Sequence, residues 1–124
     1  MLDAVGSYLQ AQSIGTVGTD IFLGLIPDQP DNCIALFEYA GSPPDLHWNG
    51  EYPGLQVRVR NKSYAAARSK IGEAMQKLHG LHEQTLSGTR YLLIKARGSP
   101  EILKRDTNNR VELVLNLEII KESD

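Results

Sequence analysis

Alternation is the strongest signal along this chain. From Val111 to Ile120, the residues Val111, Leu113, Leu115, Leu117 and Ile119 fall on one side of an extended strand, while Glu112, Val114, Asn116, Glu118 and Ile120 fall on the other. Each of the first set contributes roughly 1.5–3 kcal/mol if fully buried, so this strand is predicted to line a core. Leu55, Val57 and Val59 alternate in the same way with Gln56, Arg58 and Arg60, giving a half-buried strand with a polar outer face. Two further segments, Cys33 to Tyr39 and Arg90 to Ala96, are apolar at nearly every position and read as strands covered on both faces. Asp20 to Pro27 reads as a shorter strand closed by the proline, and Ile102 and Leu103 open a terminal hairpin whose turn is Asp106 to Asn109.

The helical period appears twice. Leu2, Val5, Tyr8 and Leu9 share a face within residues 2 to 12, with Asp3 in the first turn, where the helix dipole favours an acid. Tyr64, Ala67, Ile71, Met75 and Leu78 recur at three- and four-residue steps, with Ser63 placed to cap the start and Gly80 to stop the end. Gly72 inside this helix costs about 1 kcal/mol against alanine, and close packing on the sheet would explain it. The resulting order is helix, strand, strand, long loop, strand, helix, strand, hairpin. That is an α+β fold over residues 1–124, a mainly antiparallel sheet packed with two α-helices and ending in a C-terminal β-hairpin. The last residues, Lys121 to Asp124, are predicted to fray.

Between the strands, Gly41 to Gly54 carries Pro43, Pro44 and Pro53 along with several glycines, so it is predicted to be an extended loop rather than a ladder. It also holds Asp45, Leu46, His47, Trp48 and Tyr52. A loop this long in a small protein either binds something or folds its tryptophan back over the core as a lid, and the residues leave both open. The two strands that are apolar on both faces present more hydrophobic surface than a sheet covered on one side can hide. The surplus must meet either the first helix or another subunit.

Composition narrows the function classes. The chain has 124 residues, of which 41% are hydrophobic and 23% charged, the balance of an ordinary globular protein of one domain. A net charge of -2 gives no global attraction to nucleic acid or to anionic membrane. No window approaches the roughly twenty apolar residues of a membrane span. Met1-Leu2-Asp3 has no secretory character, so synthesis in a reducing cytoplasm is expected. Cys33, the only cysteine, sits beside Ile34 and Ala35 and reads as a buried small hydrophobe, with a bridge between subunits as the alternative.

Candidate chemistry is sparse. His79 and His82 have metal-ligand spacing but straddle the helix end at Gly80, and His47 lies in a distant loop, so no metal and no cofactor is expected. No serine or cysteine stands in a strand-to-helix elbow, Gly15 and Gly18 do not open a helix with a following lysine, and Asp20 has no paired carboxylate. An enzyme is therefore not expected, and no catalytic residue is nominated. Arg58, Arg60, Lys62, Arg68 and Lys70 form a basic stretch that is either a solvated face, the rim of a subunit contact, or a phosphate-binding patch.

The chain resembles the minor capsid proteins of tailed bacteriophages that are grouped with tail terminator and head-tail joining proteins. The residues that carry the resemblance are Gly18-Thr19-Asp20 with Phe22 and Gly24, Pro27-Asp28, Phe37-Glu38-Tyr39 with Gly41 and Pro44, and above all Tyr52-Pro53-Gly54-Leu55-Gln56-Val57-Arg58-Val59-Arg60; Arg105-Asp106, Arg110 and Leu115-Asn116-Leu117-Glu118 follow. Ala40 stands where proline is common in that family, and Arg105-Asp106 lacks a preceding glycine. The resemblance implies a non-enzymatic virion protein of the tail or neck. Such a subunit forms a homo-oligomeric, often hexameric ring at the head-proximal end of the tail, where it meets the tail tube protein and the head connector or stopper protein. It implies no catalytic residues, and with the net charge of -2 no membrane partner and no specific nucleic acid are expected.

A closed ring needs two different patches per subunit that meet head to tail. The expected pair is the strand bearing Arg58 and Arg60 against acidic Glu112 and Glu118, with the loop of Asp45, Leu46, His47, Trp48 and Tyr52 reaching the tail tube or connector. The competing reading is a nucleic-acid or small-ligand binding module encoded by a bacterium or prophage, to be recognised by salt-dependent retention on DNA.

Overall fold

The computed structural model describes residues 1–124. Leu2–Ala11 forms α1 and Tyr64–Leu78 forms α2; the strands are β1 (Ile21–Leu23), β2 (Cys33–Ser42), β3 (Gly50–Asn61), β4 (His82–Leu86), β5 (Thr89–Ala96), β6 (Glu101–Arg105) and β7 (Val111–Glu122). All seven strands join one sheet of order β1-β2-β3-β7-β5-β4, and β6 also pairs with β7. Only β1 with β2 is parallel, so the expected α+β fold with a mainly antiparallel sheet and a C-terminal hairpin is what forms.

The alternating sequence of β7 explains its central place. One edge pairs with β3 along its length; the other edge pairs first with β6, from Val111 to Val114, and then with β5, from Leu117 to Lys121. Its odd-numbered side chains from Val111 to Ile119 are buried and meet Val5 and Leu9 of α1, Ala67, Ile71, Ala74 and Leu78 of α2, and Ile34, Leu36, Leu55, Val57 and Val59 of the neighbouring strands. Both helices therefore cover the same face of the sheet. Ser63 caps α2 by accepting a hydrogen bond from the Ala66 main-chain N–H, and Gly80, at φ 85°, turns the chain back after the helix.

Several local expectations are corrected. Asp20 to Pro27 is not strand throughout: β1 ends at Leu23, because Gly24 adopts φ 78° and turns the chain away. His82 to Leu86, which shows no apolar alternation, is nevertheless a strand. It pairs with β5 through a two-residue turn in which Ser87 and Gly88 both have positive φ, the geometry that matches strand twist. The segment Gly41 to Gly54 is not one loop either. The β2–β3 ladder continues through it to Ser42 and Tyr52, accommodating the extra residue as a bulge at Gly41, whose φ is 64°. Only residues 43–49 connect the two strands. Gly72 packs against nothing, since a Cβ there would find open space, so sheet packing does not account for it. The C-terminus is held, not frayed: β7 runs to Glu122, Lys121 is 1% exposed, and the Ser123 N–H donates to the Asn49 carbonyl.

Candidate functional site

The face of the sheet away from the helices is the surface to be understood. Alternation and register place Cys33, Ala35 and Phe37 of β2, Gln56, Arg58 and Arg60 of β3, and Glu112, Val114, Asn116 and Glu118 of β7 on it. This face divides into two halves.

One half is closed by the chain itself. The segment between β1 and β2 crosses over it and is pinned by Arg60, whose guanidinium donates to the carbonyls of Pro27 at 2.6 Å, Pro30 at 2.7 Å, Asp31 at 3.1 Å and Asp28 at 3.3 Å. Arg110 pins it from the side, pairing with Asp28 at 3.1 Å, Asp31 at 3.2 Å and Asp106 at 2.8 Å. The planar fork of arginine suits this role, since its donors can reach several acceptors at once. Beneath the segment, Cys33, Ala35 and Val114 are buried. The apolar surplus at the start of β2 is thus hidden by α1 on one face and by residues 24–32 on the other, a cover the sequence pattern did not suggest. Burial pushes the Cys33 thiol upward in pKa and leaves it out of reach of a neighbouring subunit.

These contacts fix the state of the acids around Arg110. The Arg110 main-chain N–H, followed by its guanidinium, holds the Asp106 carboxyl below the usual carboxylate range, partly offset by burial. Burial raises Asp31, but Lys62 and Arg110 outweigh it and the net shift is downward.

The other half of the face is open. Here Arg58 lies 4.6 Å above the centre of the Phe37 ring and donates to Gln56 at 2.7 Å, while Gln56 donates to Asn116 at 3.1 Å. Glu118 is exposed and pairs with Arg97 at 3.5 Å. Tyr39 covers Gly54, where a Cβ would collide with its ring, and donates its hydroxyl to the Leu117 carbonyl at 3.2 Å. A depression of about 230 Å³ lined by Tyr39, Tyr52, Arg97 and Glu118 lies beside it.

The residues expected to form two separate patches therefore sit on one face of one subunit. Arg60 and Glu112 are directly opposite each other in register and each only 3% exposed, so neither reaches a neighbour; Glu112 instead pairs with Lys104 of β6 at 3.5 Å. Arg58 and Glu118 remain accessible. In the connection between β2 and β3, Asp45 accepts from the His47 main-chain N–H at 2.8 Å and from the Tyr52 hydroxyl at 3.4 Å, which folds the tip into a turn. Trp48 is half-buried, stacks over Gly50 and lies 6.2 Å from Tyr52, so it is a lid on its own hairpin and not on the core. Leu46 is left 93% exposed at the tip. His79 and His82 each engage the backbone: His79 Nδ1 accepts from the Ala96 N–H at 2.9 Å, and His82 Nδ1 lies 3.0 Å from the Gly80 carbonyl.

Two structural cations escaped the pattern reading. Arg110 precedes β7 and carried no periodic signal. Lys121 did carry one, being the next odd-numbered position after Ile119. It is buried over Tyr91, with Asp124 at 3.3 Å and Glu51 at 3.7 Å, and burial is the main reason the Tyr91 hydroxyl is pushed up to about 12.

No group of three or more His, Cys, Asp or Glu side chains is arranged to hold a metal ion. No curated protein matches the sequence. Among solved structures, a chain of the virion of a native gene transfer agent (GTA) particle shares the fold, with a TM-score of 0.77, 17% identity and coverage of 99% of this chain and 95% of that one. The family model described as bacteriophage tail terminator protein matches residues 8–123, nearly the whole length, and the chain accordingly belongs to the bacteriophage tail terminator family, structural proteins of the virion tail.

Proposed function

We propose that this protein closes the head-proximal end of a phage tail by assembling into a homo-oligomeric ring, with six copies the expected number, and that the ring joins the tail tube protein to the head connector or stopper protein. The observation that carries this reading is the family match over residues 8–123, together with a sheet of which one half of one face has no cover from its own chain. Phe37, Leu93 and Ile120 are only partly buried there, beside the polar ladder of Arg58, Gln56 and Asn116. Mixed apolar and hydrogen-bonding surfaces of this kind suit a stable subunit or partner contact.

The function so proposed is non-enzymatic. It requires no cofactor or metal, and its work is geometric: a ring of fixed diameter stops polymerisation of the tube and presents one surface to the tube and another to the head. Arg58 and Glu118 are assigned to these contacts, since they stay accessible on the open half-face. Charge reversal at Arg58 together with Glu118 is expected to leave the subunit folded and to block tail joining to heads in an assembly assay. Full joining activity in that variant would remove both residues from the contact. Retention of the purified protein on DNA with a steep salt dependence would instead favour the nucleic-acid binding alternative.

A further inference from the structure

Two exposed features lie at opposite ends of β7. At its C-terminal end Glu122 pairs with Gly50, next to the β2–β3 tip where Leu46 is 93% exposed. Near its N-terminal end Leu113 pairs with Ile102 of β6, a strand that hydrogen-bonds to β7 alone and whose five residues are all exposed, Ile102 at 59% and Leu103 at 44%. The nine residue-to-residue steps of β7 from Leu113 to Glu122 separate the two features by about 30 Å.

Their chemistry is complementary. Residues 37–57, which make the β2–β3 hairpin, contain Glu38, Asp45 and Glu51 and neither lysine nor arginine. Residues 95–105, leading into and through β6, contain Lys95, Arg97, Lys104 and Arg105 against the single acid Glu101. Arg97, Lys104 and Glu51 have partners within the subunit, and Glu38 and Lys95 lie level with Leu117 and Glu118 in the middle of β7; at the ends themselves, Asp45 on the tip and Arg105 on β6 form no ion pair. Each end thus joins an exposed aliphatic side chain to unpaired charge of one sign. A contact between such patches buries both and compensates the charges. Within one molecule they cannot touch. Two unlike patches at opposite ends of one subunit are what a head-to-tail assembly requires, whereas a two-fold contact would match a patch with itself.

We infer that the acidic β2–β3 hairpin tip of one subunit, with Leu46 as its anchor, docks on the basic β6 arm of a second copy of this chain, around Ile102 and Leu103. This rests on the ring reading above, and it assigns the Asp45–Tyr52 segment to the neighbouring subunit in place of the tube or connector.

The test is a mixing experiment read by light scattering or native mass spectrometry. Leu46→Asp changes a side chain that touches almost nothing in the subunit, and the double variant Ile102→Asp, Leu103→Asp changes the arm. Each alone is expected to drop from the wild-type multimer to a single subunit. Mixed in equal amounts they are expected to form a two-subunit species and nothing larger, because one intact tip can still meet one intact arm. If the arm variant loses its fold by circular dichroism, Leu46→Asp alone decides. Wild-type-sized multimers of Leu46→Asp overturn the inference and leave the ring standing; if that variant also fails to join tails to heads, the tip contacts the tube or connector. A wild-type protein that remains monomeric at every concentration removes the ring reading itself.

Discussion

Arg58 and Arg60 occupy equivalent positions in the alternating run of β3, and nothing in the sequence separates them. The structure does, through what lies above each. Arg60 is covered by residues 24–32 and donates to four of their carbonyls, while Arg58 is half-exposed over Phe37. Arg60→Met should therefore take the donor from four carbonyls, release the segment that covers Cys33, Ala35 and Val114, and lower stability by about 3 kcal/mol. In a protein of this size that is a fall in melting temperature of roughly 10 °C. Arg58→Met should cost less than about 1 kcal/mol. Equal losses for the two variants in thermal unfolding would contradict this account. The acids around Arg110 carry a pH dependence. Asp106 and Asp31 are held below the ordinary carboxylate range in the folded protein, so their contribution is complete at neutral pH and is lost as the pH falls below about 4. Urea midpoints measured from pH 6 to pH 3 should drop in the wild type and drop less steeply in Asp106→Asn.

Among the elements, those with an uninterrupted period were legible. β7 and α2 could be read from their apolar spacing because each packs one continuous face into the core. β4 could not, since His-Glu-Gln-Thr-Leu offers no alternation and owes its strand geometry to pairing with β5 and to the turn at Ser87-Gly88. The prolines between Gly41 and Gly54 concealed a ladder because the strands tolerate them at its end, where a bulge already disturbs the register. Arg60 was placed on the polar face correctly, but its burial depends on a loop with no periodic signal. At Gly72 the helix gains nothing from the missing side chain, as no atom lies where a Cβ would stand. Gly72→Ala is expected to stabilise the protein by about 0.5–1 kcal/mol in chemical denaturation, by reducing the freedom of the unfolded chain. A destabilising result would show that this position faces a contact absent from the isolated subunit. By contrast, Leu115→Ala, at a site 1% exposed between the helices and the sheet, should cost about 2–5 kcal/mol.

For the whole molecule, the layered arrangement leaves one sheet face half covered and two ends chemically unlike. The order of strands was not readable from the sequence, because β7 meets β3, β5 and β6 through contacts distant along the chain, and so the opposition of the acidic tip and the basic arm emerged only from the register. The four residues of the expected interface, Arg58, Arg60, Glu112 and Glu118, all share a face, and only Arg58 and Glu118 stay accessible on it. The family match makes this a structural protein of the virion tail, and the half-covered sheet face supports the proposed ring. The most direct measurement is electron microscopy of the purified wild-type protein after its mass has been determined in solution. The account predicts one discrete multimer seen as a ring with a central opening; single subunits at every concentration, coupled with absence of the protein from intact virions, would contradict it.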